Sequence, residues 1–266
     1  MTNVVLVGCG NMGFAMLTGW LRDAPEFHYH VVEPNDALRQ RAGDAGARVH
    51  STINQIEGIN PSLVVLAVKP QVMADVVPAY QRFADAVFVS VAAGTTVASL
   101  RGWLGDGAKI VRTMPNTPAA IGQGMLVSYA TPIVPGDARE MVSELMATSG
   151  RHAWIDDEGL MDSVTAISGS GPAYLFHFIE CLGKAARQLG LSDDLAQTLA
   201  IETVAGAAAL AKASEQDASE LRVQVTSPGG TTAAALDVLM ADDGLSPLVE
   251  RAATAARDRG VALGAS

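Results

Sequence analysis

The chain has 266 residues, of which 49% are hydrophobic, 17% charged and 5% aromatic, and it carries a formal net charge of −10. That is enough length and apolar content to bury one large core or two smaller ones, and it excludes a disordered chain. The acidic balance, with no basic stripe or Lys/Arg run, argues against nucleic acid or an anionic membrane as partner and points to a small molecule.

No stretch reaches the ~18 uninterrupted apolar residues that a membrane span requires. The apolar start lacks the basic segment of a signal peptide. Cys9 and Cys181 are too few for a disulfide framework and too far apart in sequence for a metal-ligand pair. Both are expected to be small, buried, reduced residues, which fits a cytoplasmic setting. No His/Cys/Asp cluster suggests a metal.

Val4 to Gly13, VVLVGCGNMG, opens the chain with a short apolar run that leads into Gly8, Gly10 and Gly13 at the spacing G-x-G-x-x-G. A strand ending in such a turn lets the backbone approach a pyrophosphate, and the third glycine lets the next helix pack against the strand. That helix, from about Asn11 with Phe14, Leu17 and Leu21, would aim its free N–H groups at the phosphates. An ordinary strand-to-helix turn is the simpler reading of the same residues. A second strand, His30 to Glu33, ends in a carboxylate 20 residues beyond Gly13. There an acid either binds the adenosine ribose of NAD or sits solvated in a Pro-Asn turn.

A helix is expected from Ala37 to Ala45, then a short strand around Arg48 to His50. Ser62 to Val68 and Ala86 to Val91 are continuous apolar runs, as in strands covered on both faces, joined by a helix around Gln71 to Phe83 that Pro78 weakens. Lys109 to Arg112 reads as a strand running into a rigid loop, Thr113 to Pro118, with two prolines. Met125 to Tyr129 and His152 to Ile155 are further strands around a helix from Gly136 to Thr148. Strands alternating with helices imply a doubly wound parallel sheet whose ligand crevice lies beyond the carboxyl ends of the strands. Gly8 to Gly13, Glu33, Lys69-Pro70, Ala92 to Gly94 and Met114 to Pro118 all fall at such ends.

From about Asp156 the pattern becomes helical: Asp162 to Leu189, Leu195 to Ala213 and Thr232 to Met240. The chain therefore divides into an N-terminal dinucleotide-binding domain, residues 1–157, and an all-α domain, residues 158–266. The helices are apolar over much of their circumference, which predicts a subunit interface rather than a compact monomeric bundle. His177 is expected to be a satisfied core residue. Two segments stand out: Ser168 to Tyr174, SGSGPAY, with small residues packed against a domain or a ligand, and Val225 to Thr232, VTSPGGTT, leading into a helix. The second reads equally as a small-anion site built of hydroxyls and backbone N–H groups and as an N-capping turn with Thr231 or Thr232 as cap.

Six segments in order, VGCGNMG, LAVKPQ, SVAAG, MPNTPAAIGQGM, SGSGPAY and VTSPGGTT, make the chain resemble the pyrroline-5-carboxylate reductases. They reach from residue 7 to residue 232, and the last two are the most specific. The resemblance implies an α/β fold, with an N-terminal Rossmann domain and a C-terminal helical domain that interlocks in a homodimer, dimers often gathering into decamers. It also implies reduction of 1-pyrroline-5-carboxylate to L-proline with NADPH or NADH.

By that resemblance Val7, Gly8, Cys9, Gly10, Asn11 and Met12 would hold the pyrophosphate. Ala67, Val68, Lys69 and Pro70, with Val91, Ala92 and Ala93, would line the nucleotide and nicotinamide. Ser227, Gly230, Thr231 and Thr232 would grip the substrate carboxylate, Glu158 and Glu215 would lie near the substrate or the partner subunit, and Thr232 would position or relay the proton that the imine nitrogen acquires. Glu33 departs from the small or neutral residue of NADPH-preferring relatives. Arg39 and Arg41 follow closely, so both dinucleotides stay open. Gln224 stands where some relatives have Asn. Rival readings are another imine reductase, a 3-hydroxyacid dehydrogenase and a non-catalytic dinucleotide-binding protein. The dehydrogenase would need a Lys on the helix after SGSG, where Leu175 to Phe178 stand instead.

Overall fold

The computed structural model describes residues 2–264. One eight-stranded sheet runs in the order β3-β2-β1-β4-β5-β6-β7-β8. Its first part alternates β1 (Asn3–Val7), α1 (Asn11–Asp23), β2 (His28–Val32), α2 (Asp36–Asp44) and β3 (Arg48–His50). β4 (Pro61–Leu66), the single turn α3 (Met73–Val76), β5 (Val87–Ser90), α4 (Val97–Leu104) and β6 (Lys109–Met114) follow. β7 (Gly124–Ala130), α5 (Gly136–Ala147) and β8 (Gly150–Ile155) close the sheet. Strand order reverses at β1, which pairs with both β2 and β4 in parallel, so the crevice of this sheet opens at the end of β1.

The apolar run of β1 is continuous because helices cover both faces. Val4 and Leu6 pack into a cluster with Leu17, Trp20 and Leu145, whereas Val5 and Val7 join Met73, Phe88 and Leu100 on the other side. The Trp20 indole N–H donates to the Leu145 carbonyl at 3.0 Å and fixes α1 against α5.

Three expectations are corrected. β7 runs antiparallel to β6, because the connection from Pro115 to Gln123 is short and a parallel crossover needs a dozen or more residues. The segment expected as one helix from Gln71 to Phe83 is instead a chain of short pieces, with 3₁₀ turns at Pro70–Val72 and Val77–Arg82 around α3. Pro70 and Pro78 each remove an N–H that a continuous helix needs. The helix expected from Asp162 to Leu189 is broken into a 3₁₀ turn, α6 (Met161–Val164), a π-helical turn at Thr165–Gly169 and α7 (Gly171–Gln188).

The chain packs as two units, residues 1–170 with 256–266, and residues 171–255. The first therefore extends past the expected boundary at 157, since residues 158–170 fold back onto the sheet through the contacts described below. It also takes the last turns of α11 (Leu245–Gly264), where Gly260 abuts Asp162 and Gly94 abuts Leu263.

The second unit holds α7, α8 (Asp193–Ala213), α9 (Ala218–Gln224), α10 (Thr231–Leu239) and the start of α11. α7 and α8 approach closely at Gly183, Ala196 and Ala200, and these three are the only buried residues between 171 and 255. Phe176 is 61% exposed and Leu189 84%. Cys181 and His177, expected in a core, are both exposed, with His177 beside Glu180. A helical unit with so little interior of its own requires a covering surface.

Two outcomes follow. In sedimentation the full chain runs as a homo-oligomer, and a stable monomer at micromolar concentration would contradict the reading of the exposed helical faces. Stability also falls in mild acid. Burial, reinforced by the charges of His50, Arg48 and His28, pushes His30 down to about 4, and burial alone pushes His152 down to about 4. The unfolded rings take protons first, near 6.5, so each ring withdraws about 2 kcal/mol between about pH 7 and 5. Urea midpoints at those two pH values measure this, and equal midpoints would refute it.

Candidate active site

Gly8 follows β1 with φ +84°, and a Cβ there would stand 2.8 Å from Val68 Cγ1. A Cβ on Gly13 would lie 2.5 Å from the Gly8 carbonyl oxygen, whereas one on Gly10 would meet nothing within 4 Å. Gly8 and Gly13 are thus required by close packing, and Gly10 faces open space where a ligand can approach. α1 begins with Gly10 as its cap and no side-chain hydrogen bond to its first turn. Its leading N–H groups and positive dipole end meet that open space, an arrangement that fits the pyrophosphate of a dinucleotide.

Backbone hydrogen bonds draw the neighbouring strand ends onto the same rim. Gly8 N donates to Val32 O at 2.9 Å, Ala67 N to Val7 O at 2.8 Å and Val91 N to Leu66 O at 3.1 Å. Val7 to Met12, Ala67 to Pro70 and Val91 to Ala93 are therefore gathered at one edge. Lys69 and Pro70 are exposed there, while Val91, Ala92 and Ala93 are half-buried.

Glu33 is not the solvated acid of a turn. It is 6% exposed, its Oε2 accepts from Cys9 N at 2.8 Å, and its Oε1 accepts from Asn35 N at 2.9 Å. Arg41 Nη2 donates to Cys9 O at 2.8 Å and its guanidinium lies over the Phe14 ring at 4.0 Å. Burial pushes the Cys9 thiol up to about 11, with Glu33 adding to the rise and Arg41 opposing it. Cys9 is a neutral packing residue and no nucleophile.

Glu158, expected near the substrate or the partner subunit, makes two contacts within this chain. Its Oε1 accepts from Arg112 Nη1 at 2.6 Å and from Val97 N at 2.7 Å. It neutralises a buried arginine and satisfies the first turn of α4. Sequence reasoning missed Arg112, although a cation at the end of the apolar strand KIVR is a signal that a buried partner is needed. Asn116 was missed too. Its Nδ2 donates to Ser168 O at 3.1 Å and its Oδ1 accepts from Met125 N at 2.9 Å. A Cβ on Gly169 would lie 2.5 Å from Met114 Cε. Ser168 and Gly169 thus pack against the end of β6 and the loop after it, whereas a Cβ on Gly171 would meet nothing within 4 Å.

The remaining site residues belong to the second unit. Ser227-Pro228-Gly229-Gly230 is a tight turn, closed by Gly230 N donating to Ser227 O at 3.0 Å, with Gly229 at φ +68°. Proline followed by a positive-φ glycine is the type II pattern. α10 starts at Thr231 with Gly230 as its cap and no side-chain capping bond, so the capping alternative for Thr231 or Thr232 is not the one adopted. No hydrogen bond among the described residues engages the hydroxyls of Ser227, Thr231 or Thr232. With the leading N–H groups of α10 they are donors left without a partner among the described residues. Glu215 is exposed between α8 and α9. Gln224 Nε2 donates to Gln216 Oε1 at 2.7 Å and so ties that bend to the approach of the turn.

The sheet, its uncapped glycine turn and the separate helical unit define a dinucleotide-dependent oxidoreductase of two-domain build. Residues 3–94 match the family described as NADP oxidoreductase coenzyme F420-dependent, and residues 158–263 match pyrroline-5-carboxylate reductase dimerisation. Pyrroline-5-carboxylate reductase of Pseudomonas aeruginosa is 40% identical over 98% of this chain and 96% of its own. That of Pisum sativum is 35% identical over 88% of this chain and 86% of its own. Among solved structures, a pyrroline-5-carboxylate reductase from Coxiella burnetii superposes with a TM-score of 0.92 at 33% identity, covering 98% of each chain. One from Plasmodium falciparum, with NADP bound, gives 0.83 at 28%, over 99% of this chain and 98% of its own. The chain belongs to the pyrroline-5-carboxylate reductase family, and it is a homo-oligomer with no helix among the described residues long and apolar enough to cross a membrane.

Replacing Glu158 by Ala leaves Arg112 buried without its carboxylate, and with Glu158 itself 28% exposed the loss is about 2 kcal/mol. Denaturant unfolding measures it, with Glu158→Gln expected between wild type and Ala. A Glu158→Ala protein as stable as wild type would remove the anchoring role.

Proposed function

We infer that the chain reduces 1-pyrroline-5-carboxylate to L-proline, the final step of proline synthesis, and that it does so as a homodimer built through its helical unit. Three free hydroxyls on an uncapped helix start, in a chain whose strand ends form a pyrophosphate-binding rim, carry this reading. When bound, NADH or NADPH supplies a hydride to the imine carbon.

The rim residues Val7 to Met12, Ala67 to Pro70 and Val91 to Ala93 hold and orient the dinucleotide. Ser227, Gly230 and Thr231 accept the substrate carboxylate through hydroxyl and backbone N–H donors, a neutral cradle that suits a zwitterionic product. As the carbon gains hydride the ring nitrogen gains a proton, and the Thr232 hydroxyl, the next donor along the helix, holds that proton in place. A threonine hydroxyl does not titrate near neutrality, so Thr232 relays a proton that solvent supplies. Glu215, exposed in the bend that Gln216 and Gln224 tie to this turn, is the acidic group this reading places near the substrate or the partner subunit. Both cysteines are free thiols, which accords with a reducing, cytoplasmic setting.

Thr232→Ala lowers turnover of 1-pyrroline-5-carboxylate by about tenfold or more while the dissociation constant of the dinucleotide stays near the wild-type value. Steady-state kinetics paired with fluorescence titration separate the two. Undiminished turnover would take Thr232 out of the mechanism.

A further inference from the structure

Two cavities flank the glycine turn, and their charges differ. One, of about 590 Å³, is lined by Asn11, Phe14, Arg41 and Thr117. The other, of about 480 Å³, lies at the end of β2 and is lined by Gly8, Glu33, Ser51, Val68, Asp75 and Tyr80 among others. The second is on the side of the turn where a dinucleotide fold receives the adenosine ribose. Two carboxylates and no Lys or Arg stand among its lining residues.

Glu33 is also fixed. Its two oxygens are each held by a backbone amide, one from the glycine turn and one from Asn35, so swinging the carboxylate aside breaks two charge-assisted hydrogen bonds and leaves both amides without an acceptor. Neither nearby arginine lines this cavity. Arg39 Nη1 donates to the carbonyls of Glu33 and Pro34, both at 3.0 Å, and its Nη2 pairs with Asp36. Arg41 is bound to the carbonyls of Cys9 and Gly10 and lines the other cavity.

We propose that Glu33 is a specificity-determining residue that makes this reductase take NADH in preference to NADPH. The inference rests on the dinucleotide reading of the glycine turn given above. A ribose 2′-hydroxyl donates a hydrogen bond to a carboxylate, whereas a 2′-phosphate has no donor to offer near neutral pH and brings about two negative charges against it. Beside a second carboxylate, Asp75, that charge meets no Lys or Arg among the residues that line the cavity.

Titrating the full-length wild-type chain with NADH and with NADPH, read by nucleotide fluorescence without substrate, tests this directly. NADH is expected to bind about tenfold more tightly. Glu33→Gln keeps an acceptor for one amide but removes the charge, and it should bring the two affinities together by weakening NADH and strengthening NADPH. Equal or tighter NADPH binding by the wild type would overturn the proposal and leave the dinucleotide site intact, as would a ratio unchanged by Glu33→Gln. Binding of neither nucleotide would overturn the proposal together with the dinucleotide reading.

Discussion

The close approach of three strand ends around Gly8 constrains everything at the carboxyl edge of the sheet. A residue with a side chain at Gly8 would collide with Val68 and would have to adopt a left-handed backbone, and one at Gly13 would collide with the Gly8 carbonyl. Because those two positions are closed, β1 ends against β4, α1 starts directly over the turn, and only Gly10 is left facing open space. The uncapped start of α1 is thus a consequence of packing in the sheet rather than of any charged side chain.

The same economy of charge recurs at the second helix start. α10 presents hydroxyls and backbone N–H groups without an Arg or Lys in its motif, and its proline and glycine turn fixes the approach of the chain. The charged residues near both segments serve the frame. Arg41 binds the carbonyls of the glycine turn, Glu33 its amide, and Glu158 joins Arg112 to the start of α4. Charges placed this way hold dipoles in position, and Glu33 also lines the cavity at the end of β2.

Much of this was legible in the residues. The glycine spacing, the unbroken apolar runs of β1, β4 and β5, and the change to helical periodicity near residue 156 follow from periods and turn chemistry that act locally. What was not legible depended on contacts distant in sequence. Glu158 and Arg112 are 46 residues apart, and nothing near either one specifies the pairing. For Glu33 the residues left a ribose ligand and a solvated acid both open, because its amide partner Cys9 lies 24 residues away. Cys181 and His177 looked buried because α7 is apolar on several sides, yet within one chain those sides have nothing to cover them. The reversal of β7 came from the length of one loop, a signal present in the sequence but outweighed by the parallel pattern before it.

The most direct test of the central claim is the stoichiometry of the reaction catalysed by the purified full-length chain. With 1-pyrroline-5-carboxylate and reduced dinucleotide, one L-proline should appear for each dinucleotide oxidised, and neither should change when the substrate is left out. Dinucleotide that binds but is not oxidised in the presence of 1-pyrroline-5-carboxylate, or oxidation without proline formation, would contradict it.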